Sequence, residues 1–183
     1  AGQFCFLRLK QDKLYARHPF TIASSPRESE LCFIVKIQGR FTKALSKLKL
    51  GDEVIVDGPF GIFTAEASAQ NLVFIAGGVG IAPFISLLRD RMAPEINQSV
   101  VLLYGLKTEA DIIYRQELDS IKQGWFKKVY VLSDYGSSFV AGETSHIDQA
   151  IIEKYVKNIS NALFYICGPE SMKKSLKEIL KRL

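Results

Sequence analysis

Between Leu72 and Leu88 the chain runs through 17 residues without a charge, yet the run does not read as a membrane span. Gly77, Gly78, Gly80 and Pro83 would break a lipid-exposed helix, and the stretch falls short of the ~20 residues a bilayer requires. A buried strand, a glycine loop and the start of a helix fit it better. In Ala76-Gly77-Gly78-Val79-Gly80-Ile81-Ala82-Pro83, glycines let backbone N–H groups approach a phosphate, and a helix start favours an anion. Pro83 near the first helical turn costs no hydrogen bond. The spacing is G-G-x-G-x-x-P, which differs from the G-x-G-x-x-G of many dinucleotide-binding sheets. The competing reading is a tight turn whose glycines serve packing alone. On the phosphate reading, a valine at position 80 costs dinucleotide affinity and largely spares the fold.

What surrounds the loop sets the architecture. Leu72–Ala76, Val100–Tyr104, Val129–Leu132 and Ala162–Cys167 are compact apolar runs. Helical patterns near Pro83–Met92, Ala110–Gln123, Ile147–Lys157 and Ser171–Leu183 fall between or after them. Continuous apolar strands alternating with helices predict a parallel sheet covered on both faces. Before about residue 66 the rhythm differs: Gly2–Lys10, Leu31–Ile37 and Glu53–Val56 read as strands, with a short helix over Phe41–Leu48. The expected fold is therefore a small antiparallel β unit over residues 1–66, part of a barrel, followed by a parallel α/β domain over 67–183.

Charge and composition exclude several classes. Three cysteines and two histidines in 183 residues show no metal-ligand or disulfide spacing, so no metal is expected. The net charge of +5 comes from a basic first part and a basic tail flanking a mildly acidic middle. No stripe interleaves basic and aromatic residues, so a phosphate-bearing cofactor explains the charge better than nucleic acid does.

Four further clusters accompany the glycine loop. Cys167-Gly168-Pro169-Glu170 follows the last strand, and ligands bind at strand carboxyl ends in parallel sheets; taken alone, Cys167 reads as a small buried hydrophobe. Arg17-His18-Pro19-Phe20-Thr21-Ile22-Ala23-Ser24-Ser25-Pro26 combines a cation, an aromatic face and hydroxyls in a turn-rich stretch that could hold a flat heterocycle. Its plainer reading is a polar loop with a core Phe. Gly39-Arg40-Phe41-Thr42 opens the short helix, and Asp57-Gly58-Pro59-Phe60-Gly61 reads as a turn.

In this order the motifs resemble the ferredoxin–NADP reductase superfamily over nearly the whole chain. His18-Pro19-Phe20-Thr21 stands at that family's R-x-Y-[ST] flavin motif, in a form similar to the branch of NADPH oxidases and ferric reductases. The resemblance implies FAD, with Phe20 against the isoalloxazine and Thr21 hydrogen-bonded near its N5. It assigns the rest of the flavin to His18, Pro19, Ser24, Val35, Lys36, Ile37, Arg40, Phe41 and Thr42. It implies NADPH or NADH on Gly77, Gly78, Val79, Gly80 and Pro83, with Lys107 at a 2′-phosphate and Cys167, Gly168 and Pro169 beside the nicotinamide. Thr21 and Cys167 are then the residues at the reacting centre, as orienting groups and not nucleophiles.

The same resemblance implies hydride transfer from NAD(P)H to FAD, then single electrons to a heme or other one-electron acceptor. In that branch the acceptor is a heme-bearing membrane domain of the same protein, with this module on the cytoplasmic side. A soluble ferredoxin- or flavodoxin-type reductase is the alternative within the class; a non-catalytic nucleotide-sensing module is the alternative outside it. Two departures stand out: His18 replaces the family's Arg, and Asp134 stands where NADP-selective relatives carry Arg. The chain also opens mid-barrel and stops in a basic helix, as a piece of a longer protein would. Lys107 and Asp134 pull cofactor choice in opposite directions, with a modest NADPH preference expected.

Overall fold

The computed structural model describes residues 1–10, 16–91, 98–134 and 142–183. They fall into two compact units, the first comprising Ala1–Ala65 together with the helix that begins at Ala82, the second the remainder.

The first unit is built on a three-stranded antiparallel sheet in the order β2-β1-β3, where β1 is Phe4–Leu9, β2 His18–Thr21 and β3 Val54–Phe60. Strand alternation makes β1 two-faced. Cys5, Leu7 and Leu9 form a buried cluster with Phe41 of α1 (Arg40–Leu45), joined at its edge by Phe20, Ile22 and Phe33. Phe4 and Phe6 point the other way and meet Phe60 at ring-centroid distances of 6.0 and 5.6 Å.

α2 (Ala82–Arg91) belongs to this unit by its contacts. Ser86 Oγ donates to the Ser24 carbonyl at 2.7 Å and accepts from the Gly2 N–H at 3.2 Å. Phe84 meets Phe63 edge-on, and Arg89 pairs with Glu28 at 3.5 Å. Met92, the last residue of the expected span of α2, lies outside the described residues.

Two expectations for this unit are corrected. His18–Thr21, read as turn-rich, is a strand: its backbone pairs with Phe4–Leu7, and Pro19 is tolerated because an edge strand can spare one N–H. Conversely, Leu31–Ile37 has strand composition but, among the described residues, no ladder beyond the Ile22–Phe33 bridge. β-branched content suits a pleated surface, but only a paired neighbour makes a strand of it.

The second unit is a five-stranded sheet in the order β7-β6-β5-β4-β8, every pairing parallel. Its strands are β4 (Asn71–Gly77), β5 (Ser99–Leu106), β6 (Phe126–Leu132), β7 (Gly142–Thr144) and β8 (Ala162–Cys167). One face buries Val73, Ile75, Leu103, Val129 and Val131 under α4 (Gln149–Tyr155) and α5 (Glu170–Leu180), with Leu176 of α5 at the centre. Asp148 starts α4 by accepting the Ile151 N–H at 2.9 Å, a side-chain cap of the usual kind. The expected helix over 110–123 is shortened to α3 (Arg115–Ser120), because Ile112 is extended and Tyr114 is left-handed. β7 had no sequence signal.

Chain order places the site. Strands β4 to β7 step outward in one direction, and β8 returns to the opposite side of β4. Crevices form where strand order reverses, at the carboxyl ends, and β4 and β8 end side by side with Ala76 in register with Cys167.

Candidate functional site

In the second unit the two glycine motifs are packed backbone against backbone. A Cβ placed on Gly80 would sit 2.3 Å from the Cys167 carbonyl oxygen and 2.9 Å from the Gly168 nitrogen. One on Gly168 would lie 3.1 Å from Gly77 Cα, and one on Gly77 would meet Met172 Sδ and Pro169 Cδ at 2.8 Å. The chain from Gly78 to Ile81 forms a single 3-10 turn. Within it Gly78 differs from its neighbours: its φ is +52°, and nothing lies within 4 Å of where its Cβ would point. Val79 beside it is 39% exposed.

The glycines thus divide the work. Gly77, Gly80 and Gly168 bring β4, the turn and the end of β8 together, whereas Gly78 leaves its outward side open. Gly80 corrects the expectation that its substitution would spare the fold, since protein backbone fills the space its side chain would need. The residues present fit a pyrophosphate group: a first-turn backbone at a strand carboxyl end, with an open flank at Gly78. Pro83 is the second residue of α2 and is buried.

The other strand ends add polar groups. Lys107, after β5, and Asp134, after β6, are both exposed, and the Asp134 N–H donates to the Lys107 carbonyl at 2.9 Å. Burial pushes the Cys167 thiol above its ordinary range, with Lys173 pulling weakly the other way. A protonated thiol orients; it does not attack. Sequence reasoning missed Tyr104, which is fully buried and donates its hydroxyl to the Gly78 carbonyl at 3.0 Å. A tyrosine in an apolar strand carries no signal beyond core packing.

In the first unit, His18 and Phe20 lie on the face of β2 that packs on α1. The His18 ring stacks on Phe41 at 3.9 Å and Phe20 follows at 5.9 Å. Thr21 and Pro19 alternate to the opposite face, opposite Phe4 and Phe6 in the ladder. There Arg17 lies over the Phe6 ring at 4.3 Å and pairs with Asp57 at 2.5 Å. Lys36, Ile37 and Arg40 are exposed, Val35 half-buried.

Three residues assigned to the flavin have internal employment. Phe41, at 6% exposure, is core. Ser24, at 2% exposure, uses its hydroxyl to accept the Cys32 N–H at 3.1 Å, which shapes the loop. Thr42 Oγ1 accepts the Gln38 N–H at 2.9 Å and donates to the Gly39 carbonyl at 3.2 Å, holding the start of α1. Phe20 is half-buried at the edge of the Phe41 cluster, Thr21 lies on the opposite face of β2, and Lys36 and Arg40 are exposed.

Family models match both units: an FAD-binding domain over residues 1–64 and an oxidoreductase NAD-binding domain over 74–178. The chain belongs to the ferredoxin–NADP reductase superfamily. It is 32% identical over its whole length to a plasma membrane-associated coenzyme Q6 reductase of Saccharomyces cerevisiae, spanning 61% of that protein. Over 78% of its length it is 34% identical to NADH-cytochrome b5 reductase 1 of Laccaria bicolor, spanning 49% of it. The cytochrome b5 reductase domain of Ulva prolifera nitrate reductase shares the fold, with a TM-score of 0.86 over 99% of this chain and 79% of that one, at 22% identity. The chain thus matches an FAD-binding domain and an oxidoreductase NAD-binding domain, and it spans about half the length of curated relatives such as these. Among the described residues, no helix is long and apolar enough to cross a membrane.

Proposed function

We propose that this chain is the dehydrogenase module of a flavoenzyme that draws on NADPH or NADH and passes electrons singly to a heme or another one-electron acceptor. A bound nicotinamide supplies a hydride, and FAD accepts the pair and releases it one electron at a time. The protein's part is placement. The turn at Gly78–Ile81 receives the pyrophosphate, Cys167 and Gly168 border the nicotinamide, and Lys107 reaches toward the adenosine end. Phe20 and Thr21 border the flavin ring, while Lys36 and Arg40 neutralise its phosphates. No side chain acts as a general base, and the protonated Cys167 suits an orienting role.

The observation that carries this reading is the open flank at Gly78, left-handed and with nothing within 4 Å of where its side chain would point, at the carboxyl end of β4 where β8 ends beside it. A turn serving connection alone would not require that opening. As in NADPH oxidases and ferric reductases, whose H-P-F-T form the chain shares, the acceptor is a heme-bearing membrane domain of the same protein and the module is cytoplasmic. A relative named as a plasma membrane-associated reductase supports placement of such a module at a membrane. A soluble reductase component is the second reading, favoured by the match to a glycine betaine monooxygenase reductase subunit of Chromohalobacter salexigens, 28% identical over 98% of this chain. Steady-state assays with FAD, NAD(P)H and either a b-type cytochrome or a ferredoxin as acceptor separate them. Turnover with the cytochrome supports the first reading; turnover with the ferredoxin alone overturns it.

A further inference from the structure

Tyr104 stands on β5 in register with Ala76 of β4 and Tyr130 of β6, and it is fully buried. Its hydroxyl donates to the Gly78 carbonyl at 3.0 Å, tying the turn after β4 to β5. Just past β5, Thr108 and Asp111 cap each other through the Thr108 N–H and hydroxyl, both 2.9 Å from Asp111 Oδ2. Burial holds the phenol well above its ordinary range, so at any physiological pH it remains a donor.

The consequence lies in the peptide between Gly78 and Val79. In a trans peptide the C=O and N–H point in opposite directions. Gly78 has a left-handed φ and open surroundings, so no side chain of its own holds this peptide, which is set by the 3-10 turn and by the Tyr104 hydroxyl together. Rotated, it would aim a carbonyl oxygen at an arriving phosphate in place of an N–H. With the carbonyl anchored inward on Tyr104, the Val79 N–H is aimed outward, toward the exposed side of the turn.

We infer that Tyr104 is a positioning residue for the dinucleotide, setting the Gly78–Val79 peptide so that the Val79 N–H faces the pyrophosphate. This rests on the dinucleotide reading of the turn given above. Tyr104 touches no ligand. It acts through one peptide, so its effect falls on pyrophosphate affinity and leaves flavin affinity and the maximal rate alone.

Tyr104→Phe keeps the ring and removes the hydroxyl. Losing one aligned donor predicts a five- to tenfold rise in the dissociation constant for ADP-ribose and in the KM for NAD(P)H, with adenosine binding and kcat unchanged. An amide spectrum supplies the readout that a merely structural role would not move. In the parent chain the Val79 amide proton shifts downfield on adding ADP-ribose; in folded Tyr104→Phe that shift is lost or greatly reduced. Should the phenylalanine variant not fold, the parent chain still decides, since a Val79 amide that does not shift on adding ADP-ribose overturns the proposal. Equal ADP-ribose affinity and an equal Val79 shift in parent and folded variant overturn the role of Tyr104 and leave the dinucleotide reading standing. A parent chain that binds no ADP-ribose overturns both.

Discussion

The Gly80 backbone approaches the Cys167 carbonyl so closely that an added Cβ would lie 2.3 Å from its oxygen, which makes this glycine a condition of the fold before it is anything to a ligand. Gly80→Ala should therefore lower stability by ~1–3 kcal/mol or more, since backbone must move. Gly78→Ala meets no neighbour and bears only the strain of a left-handed φ, on the order of 1 kcal/mol. Thermal melts of the two variants check the order; equal losses would contradict the division of labour between the glycines.

That contrast also measures what the sequence reveals. The loop was legible because glycine, valine and proline between a strand and a helix have few other uses. The reason for Gly80 was not, because the atoms that exclude a side chain there come from Cys167, far along the chain. Tyr104 was hidden for a similar reason: its ring is core and only its oxygen matters. Parallel strands β4, β5, β6 and β8 were readable from unbroken apolar runs. β2 and the run from Leu31 to Ile37 were misread in opposite senses, since pairing decides a short strand and composition does not. Ser24 and Phe41 belong to flavin-like motifs, yet burial commits one to the Cys32 amide and the other to the core.

Cofactor choice turns on the ends of β5 and β6. The Lys107 and Asp134 backbones are joined by a 2.9 Å hydrogen bond, which sets both side chains at the same pair of strand ends. Lys107 attracts a 2′-phosphate and Asp134 offsets part of that attraction. NADPH should be favoured over NADH by less than about tenfold, or ~1.4 kcal/mol. Lys107→Ala should raise the KM for NADPH only, and Asp134→Arg should widen the preference beyond tenfold. Steady-state kinetics with both cofactors over a salt series decide; a Lys107→Ala variant equally impaired with NADH would contradict the assignment.

Thr21 and Phe20 lie on opposite faces of β2 and should fail differently. Thr21→Ala removes one hydroxyl at the proposed reacting edge, so flavin reduction should slow up to about tenfold, the scale of one hydrogen bond. FAD affinity should change less. Phe20→Ala should instead weaken FAD binding and loosen the cluster with Phe41. Stopped-flow reduction beside FAD titration separates the two, and a Thr21→Ala variant losing affinity but not rate would place Thr21 elsewhere.

Burial raises the thiols of Cys5 and Cys167 above their ordinary range. A group raised in the folded state contributes stability that is intact below its unfolded pKa, ~8.5 for a thiol, and lost as pH climbs past it. Stability should be flat near neutrality on their account and fall on the alkaline side, and iodoacetamide should label Cys167 slowly at neutral pH. Rapid neutral alkylation of the folded chain would reveal a reactive thiolate and contradict an orienting role.

One chain is expected to bring FAD and the reduced nicotinamide into reaction. The measurement is titration of the chain with FAD to saturation, followed by anaerobic addition of NADPH or NADH while the visible flavin band is recorded. A saturable FAD complex that bleaches with one equivalent of reduced nicotinamide per flavin is the predicted result. Saturable binding of both cofactors with no bleaching, or no saturable FAD binding at all, would contradict it.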